Sequence, residues 1–579
     1  MLTNVAGRRT VSLDGRWRSI VDPYGAGSYD YRLQPLENPW GKNEKPKTES
    51  DRIEYDFDAS PELAVPGDWN SQRPELELYE GAVWYKTSFD YTLAPGRRAF
   101  LHFGAANYEA IVYLNGERVG KHVGGFTPFQ LEVTEQLHPT DNVLIVEVDD
   151  ARRRDAVPSV NTDWWNFGGL TRSVALVDVP QTFVRDYFVA IDPVDRDSIT
   201  GWVKVDGPDL PAQVTVAIGE TGPTQTVTTD AQGLARVHLP AQVERWSDRN
   251  PKRYAVRWTT STDEITEPIG FRTIETKGSD ILLNGKPIFL RGISIHEQAP
   301  NRKGRATSEA DARKLLGWAK ELGANFVRLA HYPHNEHMIR VAEELGLLVW
   351  SEVPVYWTLL WNDPDTLANA RQQLREMIAR DKNRAAVLLW SVANETPIST
   401  SRNAFLTALV DEVRELDPTR LVTAALERRS TEPDTYLIDD PLGRTLDVIG
   451  VNEYIGWYDG LPSRADEIRW ETPYDKPLIA SEFGAGALAG RHGTPLTRWT
   501  EEYQRSVYEH QLRMLAKIPT LRGMSPWILC DFQSPRRPLP RIQDYWNRKG
   551  LISDQGQKKA AFAVLQQYYR RLASESGTK

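Results

Sequence analysis

Through the first third of the chain, apolar and polar residues alternate with a period of two, in short runs separated by glycine, proline and asparagine turns. Val83-Trp-Tyr-Lys-Thr-Ser-Phe-Asp-Tyr91, Ala110-Ile-Val-Tyr-Leu114 and Val143-Leu-Ile-Val-Glu-Val148 are of this kind, and Asn115-Gly116 marks a hairpin after the second. An alternating strand has one face to bury against another sheet, so residues 1–180 predict a β-sandwich. The pattern continues over 181–275, where Trp202-Val-Lys-Val205, Gln213-Val-Thr-Val-Ala-Ile218 and Tyr254-Ala-Val-Arg-Trp258 are spaced as in a small immunoglobulin-like sandwich.

From about residue 276 the period changes. Ser308 with Asp311 three positions on reads as a helix start, and Ala312, Leu315, Leu316 and Ala319 recur at helical spacing up to a stop at Gly323. Apolar strand runs then alternate with such segments: Ile288 to Ile295, Asn325 to Ala330, Leu347 to Val353, Ala386 to Val392, Leu421 to Ala425, Val448 to Val451, Leu478 to Glu482 and Pro526 to Leu529. Eight strands with helical connections over 276–579 predict a closed (β/α)8 TIM barrel, so the whole is a multidomain chain of two sandwiches and a barrel.

The 579 residues carry 70 Lys plus Arg against 79 Asp plus Glu, a net charge of -9, with no basic stripe; nucleic acid is therefore not an expected partner. Cys530 stands alone, which excludes an intramolecular disulfide and a cysteine-based zinc site. No run of about 18 apolar residues appears and the start lacks the apolar core of a signal peptide, so no membrane partner and a cytoplasmic location are expected, or a periplasmic or secreted one if a leader has been removed. The 19 Trp and 22 Tyr are heavy for a chain of this size; aromatic faces serve large cores and sugar sites alike.

A barrel of this type carries its chemistry at the C-terminal ends of the strands. The fourth run ends in Asn394-Glu395 and the seventh in Glu482. Two carboxyls facing one sugar can cleave a glycosidic bond, one donating a proton to the departing oxygen while the other attacks the anomeric carbon or activates water. Each glutamate could equally be a buried residue satisfied by local hydrogen bonds, and spacing alone leaves the two readings level.

The residues around these positions resemble glycoside hydrolase family 2, which contains β-galactosidases, β-mannosidases and β-glucuronidases. Leu13-Asp-Gly-Arg-Trp17, Leu114-Asn-Gly116 with Gly124-Gly-Phe126, and Gly270-Phe-Arg-Thr-Ile-Glu275 resemble its sugar-binding, jelly-roll-like sandwich and the close of its immunoglobulin-like domain. Leu283-Asn-Gly-Lys286, Arg291-Gly-Ile-Ser-Ile-His-Glu297, Asn325-Phe-Val-Arg-Leu-Ala-His-Tyr-Pro333 and Leu389-Trp-Ser-Val-Ala-Asn-Glu395 resemble its barrel. The resemblance implies retaining hydrolysis without metal or cofactor, with Glu395 as acid/base, Glu482 as nucleophile and Asn394 on the sugar 2-hydroxyl. It also implies that Tyr454 sits beside the nucleophile, that His296 and His331 line the pocket floor, and that Trp527, on the eighth strand, lies beneath the ring. Members are often homo-oligomers.

The short C-terminal end resembles the β-glucuronidase branch. Asn547-Arg548-Lys549 matches an Asn-x-Lys pair that grips the C6 carboxylate of a uronic acid, Tyr458 of Asn452-Glu-Tyr-Ile-Gly-Trp-Tyr458 a pocket wall, and Asp163 an aspartate reaching the sugar hydroxyls. Gln543 stands where that branch has an arginine, and Arg536 and Arg537 of Ser534-Pro-Arg-Arg537 either replace the missing charge or face solvent. The expected activity is an exo-β-glucuronidase acting on a carbohydrate with a terminal uronic acid. A β-galacturonidase or dual-specificity β-uronidase, a β-galactosidase and an inactive glycan-binding protein are the alternatives.

Overall fold

The computed structural model describes residues 1–576, which fall into two compact units. The first comprises Met1–Arg152, Asn166–Gln242 and Tyr254–Ile269. Its N-terminal part is two antiparallel sheets. One has six strands in the order Glu62–Val65, Gly15–Asp22, Ala82–Phe89, Asn142–Asp149, Glu109–Leu114 and Glu117–Val123; the other has four, Arg9–Ser12, Val174–Pro180, Arg97–Phe103 and Phe129–Glu132. Trp17, Val83, Val112 and Val146 from the first sheet share one buried cluster with Leu101, Phe129 and Leu176 from the second, as alternation requires. Asn115 and Gly116 join two strands with φ of 53° and 83°, the two positive values that a tight hairpin turn demands. Seven further strands follow in a three-stranded and a four-stranded sheet: Phe183–Ile191, Ser198–Asp206 and Leu234–Pro240 in one, Thr224–Thr228, Gln213–Ile218, Tyr254–Thr259 and Glu264–Ile269 in the other.

The second unit comprises Arg153–Trp165, Val243–Arg253 and the described chain from Gly270 onward. Two segments expected to belong with the sandwiches thus group with the barrel. Trp246 shows why for one of them: its side chain is fully buried, with Nε1 donating to the Glu343 carbonyl at 3.0 Å.

Eight parallel strands close the barrel. The first is in two pieces, Leu290–Arg291 and Ser294–Ile295, followed by Phe326–Leu329, Leu348–Glu352, Val387–Asn394, Leu421–Leu426, Val448–Asn452, Leu478–Glu482 and Leu521–Met524. Leu290–Arg291 pairs with the eighth strand and Ser294–Ile295 with the second, so the ring has no free edge. Gly292 sits at the break because a Cβ there would lie 2.4 Å from the Phe326 ring and 2.6 Å from the Met524 carbonyl. The fourth strand is buried at all eight positions, which is why it reads as a nearly continuous apolar run, interrupted by Ser391 and ending in Asn394.

Two expectations are corrected here. The eighth strand is Leu521–Met524, ahead of the Pro526 to Leu529 run; Arg522 and Gly523 interrupt its apolar character, and Trp527 lies beyond the strand end. The connections after the fifth and sixth strands carry no α-helix among the described residues. They hold 3-10 turns at Pro441–Arg444 and Pro462–Asp466 and a three-stranded sheet of Arg429–Glu432, Thr435–Leu437 and Arg469–Glu471. Elsewhere the helices are as the period predicts: Ser308 accepts from the Asp311 amide at the start of Glu309–Glu321, and the closing helix is Ala560–Ser576. No helix among the described residues is long and apolar enough to cross a membrane.

Candidate active site

Second-strand Arg328 is the centre of the barrel mouth. Its side chain has no exposure, and its guanidinium lies 5.1 Å over the Trp350 ring. It donates to Glu482 Oε1 at 2.8 Å, to Glu352 Oε1 and Oε2 at 3.1 and 3.2 Å, and to Asn394 Oδ1 at 2.6 Å. One cation thus holds two carboxylates and an amide that come from the seventh, third and fourth strands.

Glu482 is buried at the end of its strand. Its second oxygen accepts from the Tyr454 hydroxyl at 2.7 Å, and His331 Nε2 lies 3.7 Å from the first. Burial pushes its carboxyl above the ordinary range and the negative charge of Glu395 adds to this, against Arg328, His331 and the Tyr454 bond. Tyr454 is itself held well above an ordinary phenol by burial and by both glutamates, so it remains a donor. Glu352 goes the other way. Burial would raise it, but Arg328 and hydrogen bonds from His331 (2.8 Å) and Trp350 (2.8 Å) hold it below the usual range.

Glu395 follows the fourth strand with φ 48°, a left-handed residue. Its carboxylate accepts from Trp357 Nε1 at 2.9 Å and from Asn452 Nδ2 at 3.0 Å. The same Asn452 nitrogen lies 3.2 Å from Asn394 Oδ1, and Asn452 is the registered cross-strand partner of Glu482. Asn452, bonded to Glu395 and registered against Glu482, places the two glutamates at one mouth. Ser481 donates to Asn452 Oδ1 at 2.7 Å and fixes which end of that amide faces Glu395. With Arg328 and Asn452 both donating to Asn394 Oδ1, the Asn394 Nδ2 must face away from them; it is buried and has no partner among the described residues. A buried amide donor left free is a place for a ligand oxygen.

His296, His331 and Trp527 form an aromatic floor. The His331 and Trp527 rings stack at 4.8 Å, and Trp527 meets His296 edge-on at 5.2 Å. Burial, with the positive neighbours, holds His296 well below its ordinary value and therefore neutral. Its Nδ1 is paired with the Tyr332 hydroxyl at 3.1 Å and its buried Nε2 has no partner among the described residues. Trp164 and Tyr356 complete this floor, 5.8 and 4.8 Å from the His331 ring.

Asn547, Arg548 and Lys549 alternate as an extended chain does. Arg548 turns away to Asp531 (3.3 Å), while its two neighbours face the mouth. Lys549 is 4% exposed; its Nζ donates to the Tyr458 hydroxyl at 2.8 Å and lies 5.1 Å over the Tyr454 ring. No carboxylate pairs with it among the described residues. Burial would raise the Tyr458 hydroxyl, but Lys549 and Arg537 bring it below the ordinary phenol value. Asp163 gathers this side: it accepts from Ser534 (2.6 Å), from Arg537 through Nε (3.0 Å) and a second nitrogen, and from Asn547 (3.3 Å). Its lone pairs are thereby engaged by protein. Arg537 thus joins the Lys549 cluster, and Arg536 does not: it is exposed and bonds to Asn161.

Arg328, Glu352, Asn452, Trp357, Trp164 and Tyr356 had no assigned part in the sequence reading. Arg328 and Glu352 carried a signal, as charged residues inside strands that are otherwise apolar.

Two family models match. That of the TIM barrel domain of glycosyl hydrolases family 2 covers residues 274–574, and that of the family's sugar binding domain covers 11–180. The β-glucuronidase of Rattus norvegicus is 29% identical over 623 residues, with 97% of this chain and 91% of that protein covered; that of Paenibacillus borealis is 27% identical, with 96% of each covered. The solved structure of Bifidobacterium dentium β-glucuronidase complexed with coumarin-3-O-glucuronide superposes with a TM-score of 0.84 at 26% identity, over 97% of both chains. A carboxylate pair at the mouth of a closed barrel, in a chain whose residues 11–180 and 274–574 these models match, makes this protein a member of glycosyl hydrolase family 2 and a glycosidase acting on carbohydrate.

Proposed function

We propose that the protein is a retaining exo-β-glucuronidase. Glu482, as carboxylate, attacks the anomeric carbon while Glu395 passes its proton to the departing oxygen; the glycosyl-enzyme ester is then hydrolysed by a water that returns a proton to Glu395. The donors on Glu482 support this division, since the Arg328 guanidinium and the Tyr454 hydroxyl both stabilise its ionised form. Asn394 Nδ2 takes the sugar 2-hydroxyl, and His296 Nε2 with the Trp527 floor takes the ring.

The observation that carries the uronate is Lys549, a buried ammonium without an anion, tied through Tyr454 to Glu482. A buried cation in need of a partner selects an ionised C6 carboxylate over a neutral hydroxymethyl group. Arg537 adds charge beside it, and Asp163 keeps Arg537 in place. Turnover of chromogenic β-glucuronide, β-galacturonide and β-galactoside by wild type and Lys549→Ala tests the reading. The expected order puts a uronide first, with the Lys change abolishing that preference. A faster galactoside, or uronide turnover untouched by the change, overturns it. A fastest galacturonide would instead place the difference at C4, where Ser534–Arg537 stands in for the arginine replaced by Gln543. The assembly proposed is a homo-oligomer, which sedimentation velocity checks.

A further inference from the structure

Lys549 and Arg537 meet the sugar that is released, which leaves Arg536 without a part in the mechanism. Its guanidinium lies 4.9 Å over the Trp357 ring and one nitrogen donates to Asn161 Oδ1. No other contact engages it among the described residues, so its charge has no carboxylate to answer it. Trp357 in turn donates to Glu395 at 2.9 Å. The two cations therefore attach to different carboxylates: Lys549 through Tyr454 to Glu482, and Arg536 through Trp357 to Glu395.

Glu395 is the group proposed to protonate the departing oxygen, so what leaves must lie against it, and Arg536 stands one indole away. We infer that Arg536, held by Trp357 and Asn161, is a specificity residue of the leaving-group subsite. It selects an aglycone sugar bearing an oxyanion, carboxylate or sulfate, as in the end of an acidic oligosaccharide. Stacking and the Asn161 bond preorganise the planar fork, so less side-chain freedom is lost when an oxyanion docks. Exposure leaves the remaining N–H donors open to solvent and hence to ligand. Glu427, after the fifth strand, is an acidic group that feels the charge of Glu395; desolvation and then Glu395 push its carboxyl up.

This inference rests on the uronidase reading for the released sugar. Its test uses three β-glucuronosyl disaccharides whose second sugar is neutral, carboxylated or sulfated, with phenyl β-glucuronide as reference, on wild type and Arg536→Gln at low and high ionic strength. Wild type should prefer the acidic disaccharides about tenfold in kcat/KM, as expected for a hydrogen bond to a charged group. The preference should shrink in high salt and vanish in the Gln variant. The faster of the carboxylated and sulfated forms identifies the oxyanion. Equal turnover of all three by wild type, or a preference that survives Arg536→Gln, overturns the inference alone. Failure to cleave any glucuronide, phenyl included, overturns the uronidase reading beneath it.

Discussion

Asn394 accepts a 2.6 Å hydrogen bond from Arg328, the cation that also holds Glu482. The side chain proposed to read the 2-hydroxyl and the carboxylate proposed to attack the adjacent carbon are thus positioned by one guanidinium, and neither can shift without the other.

Removing that hub should be costly. Arg328→Met leaves Glu482 and Glu352 buried with their charges uncompensated, a defect of about 3–5 kcal/mol. Denaturant unfolding should show it, and the double change with Glu352→Gln should recover part of the stability while activity stays lost. Full stability in the single variant would contradict this account of the mouth.

The two glutamates proposed to carry the reaction should fail differently. Glu482→Gln should abolish hydrolysis of every substrate, whereas Glu395→Gln should still release an activated nitrophenol in one burst, because that departure needs little protonation. Identical residual rates, measured by stopped flow, would void the assigned roles.

The free amide of Asn394 gives a substrate-side test. Asn394→Ala should lower kcat/KM by about 100-fold or more on a glucuronide, since contacts to the 2-hydroxyl supply several kcal/mol in the transition state. On the 2-deoxy analogue the same change should have little further effect. A full second loss on that analogue would place the amide elsewhere.

Glu453 predicts a pH dependence of stability. Its carboxyl is buried, bonded among the described residues only to the Ile455 amide at 2.7 Å, and pushed up by burial from 4.5 to about 8. The native chain therefore keeps a proton that the unfolded chain has released once pH exceeds about 4.5. More protons bound in the native state means that stability falls as pH rises from there to about 8, and this contribution levels off above. Urea midpoints for wild type should decline across this window more than those for Glu453→Gln; parallel curves would refute it.

Much of this molecule was legible as pattern. Alternation exposes the sandwiches, and apolar runs expose the buried parallel strands, so the pattern alone places Glu395 and Glu482 at strand ends. The eighth strand was displaced because Arg522 and Gly523 are not apolar, although its backbone pairs on both sides. Arg328 and Glu352 became interpretable only when strand register put Arg328 opposite Trp350 in the neighbouring strand. The Asp163 to Arg537 pair joins residues 374 apart in sequence, and neither position announces the other. Periodicity reports which way a strand faces; partners across the ring depend on closure.

The left-handed backbone at Glu395 has one further effect. In a continuing strand, neighbours 394 and 395 would project to opposite sides of the sheet, one inward and one toward the surrounding helices. Reversing a single dihedral cancels that alternation, and one asparagine, Asn452, then touches both side chains. Two consecutive codons can in this way serve the same ligand, the proposed recognition group followed at once by the proposed proton donor, and a one-residue insertion between them would separate the functions.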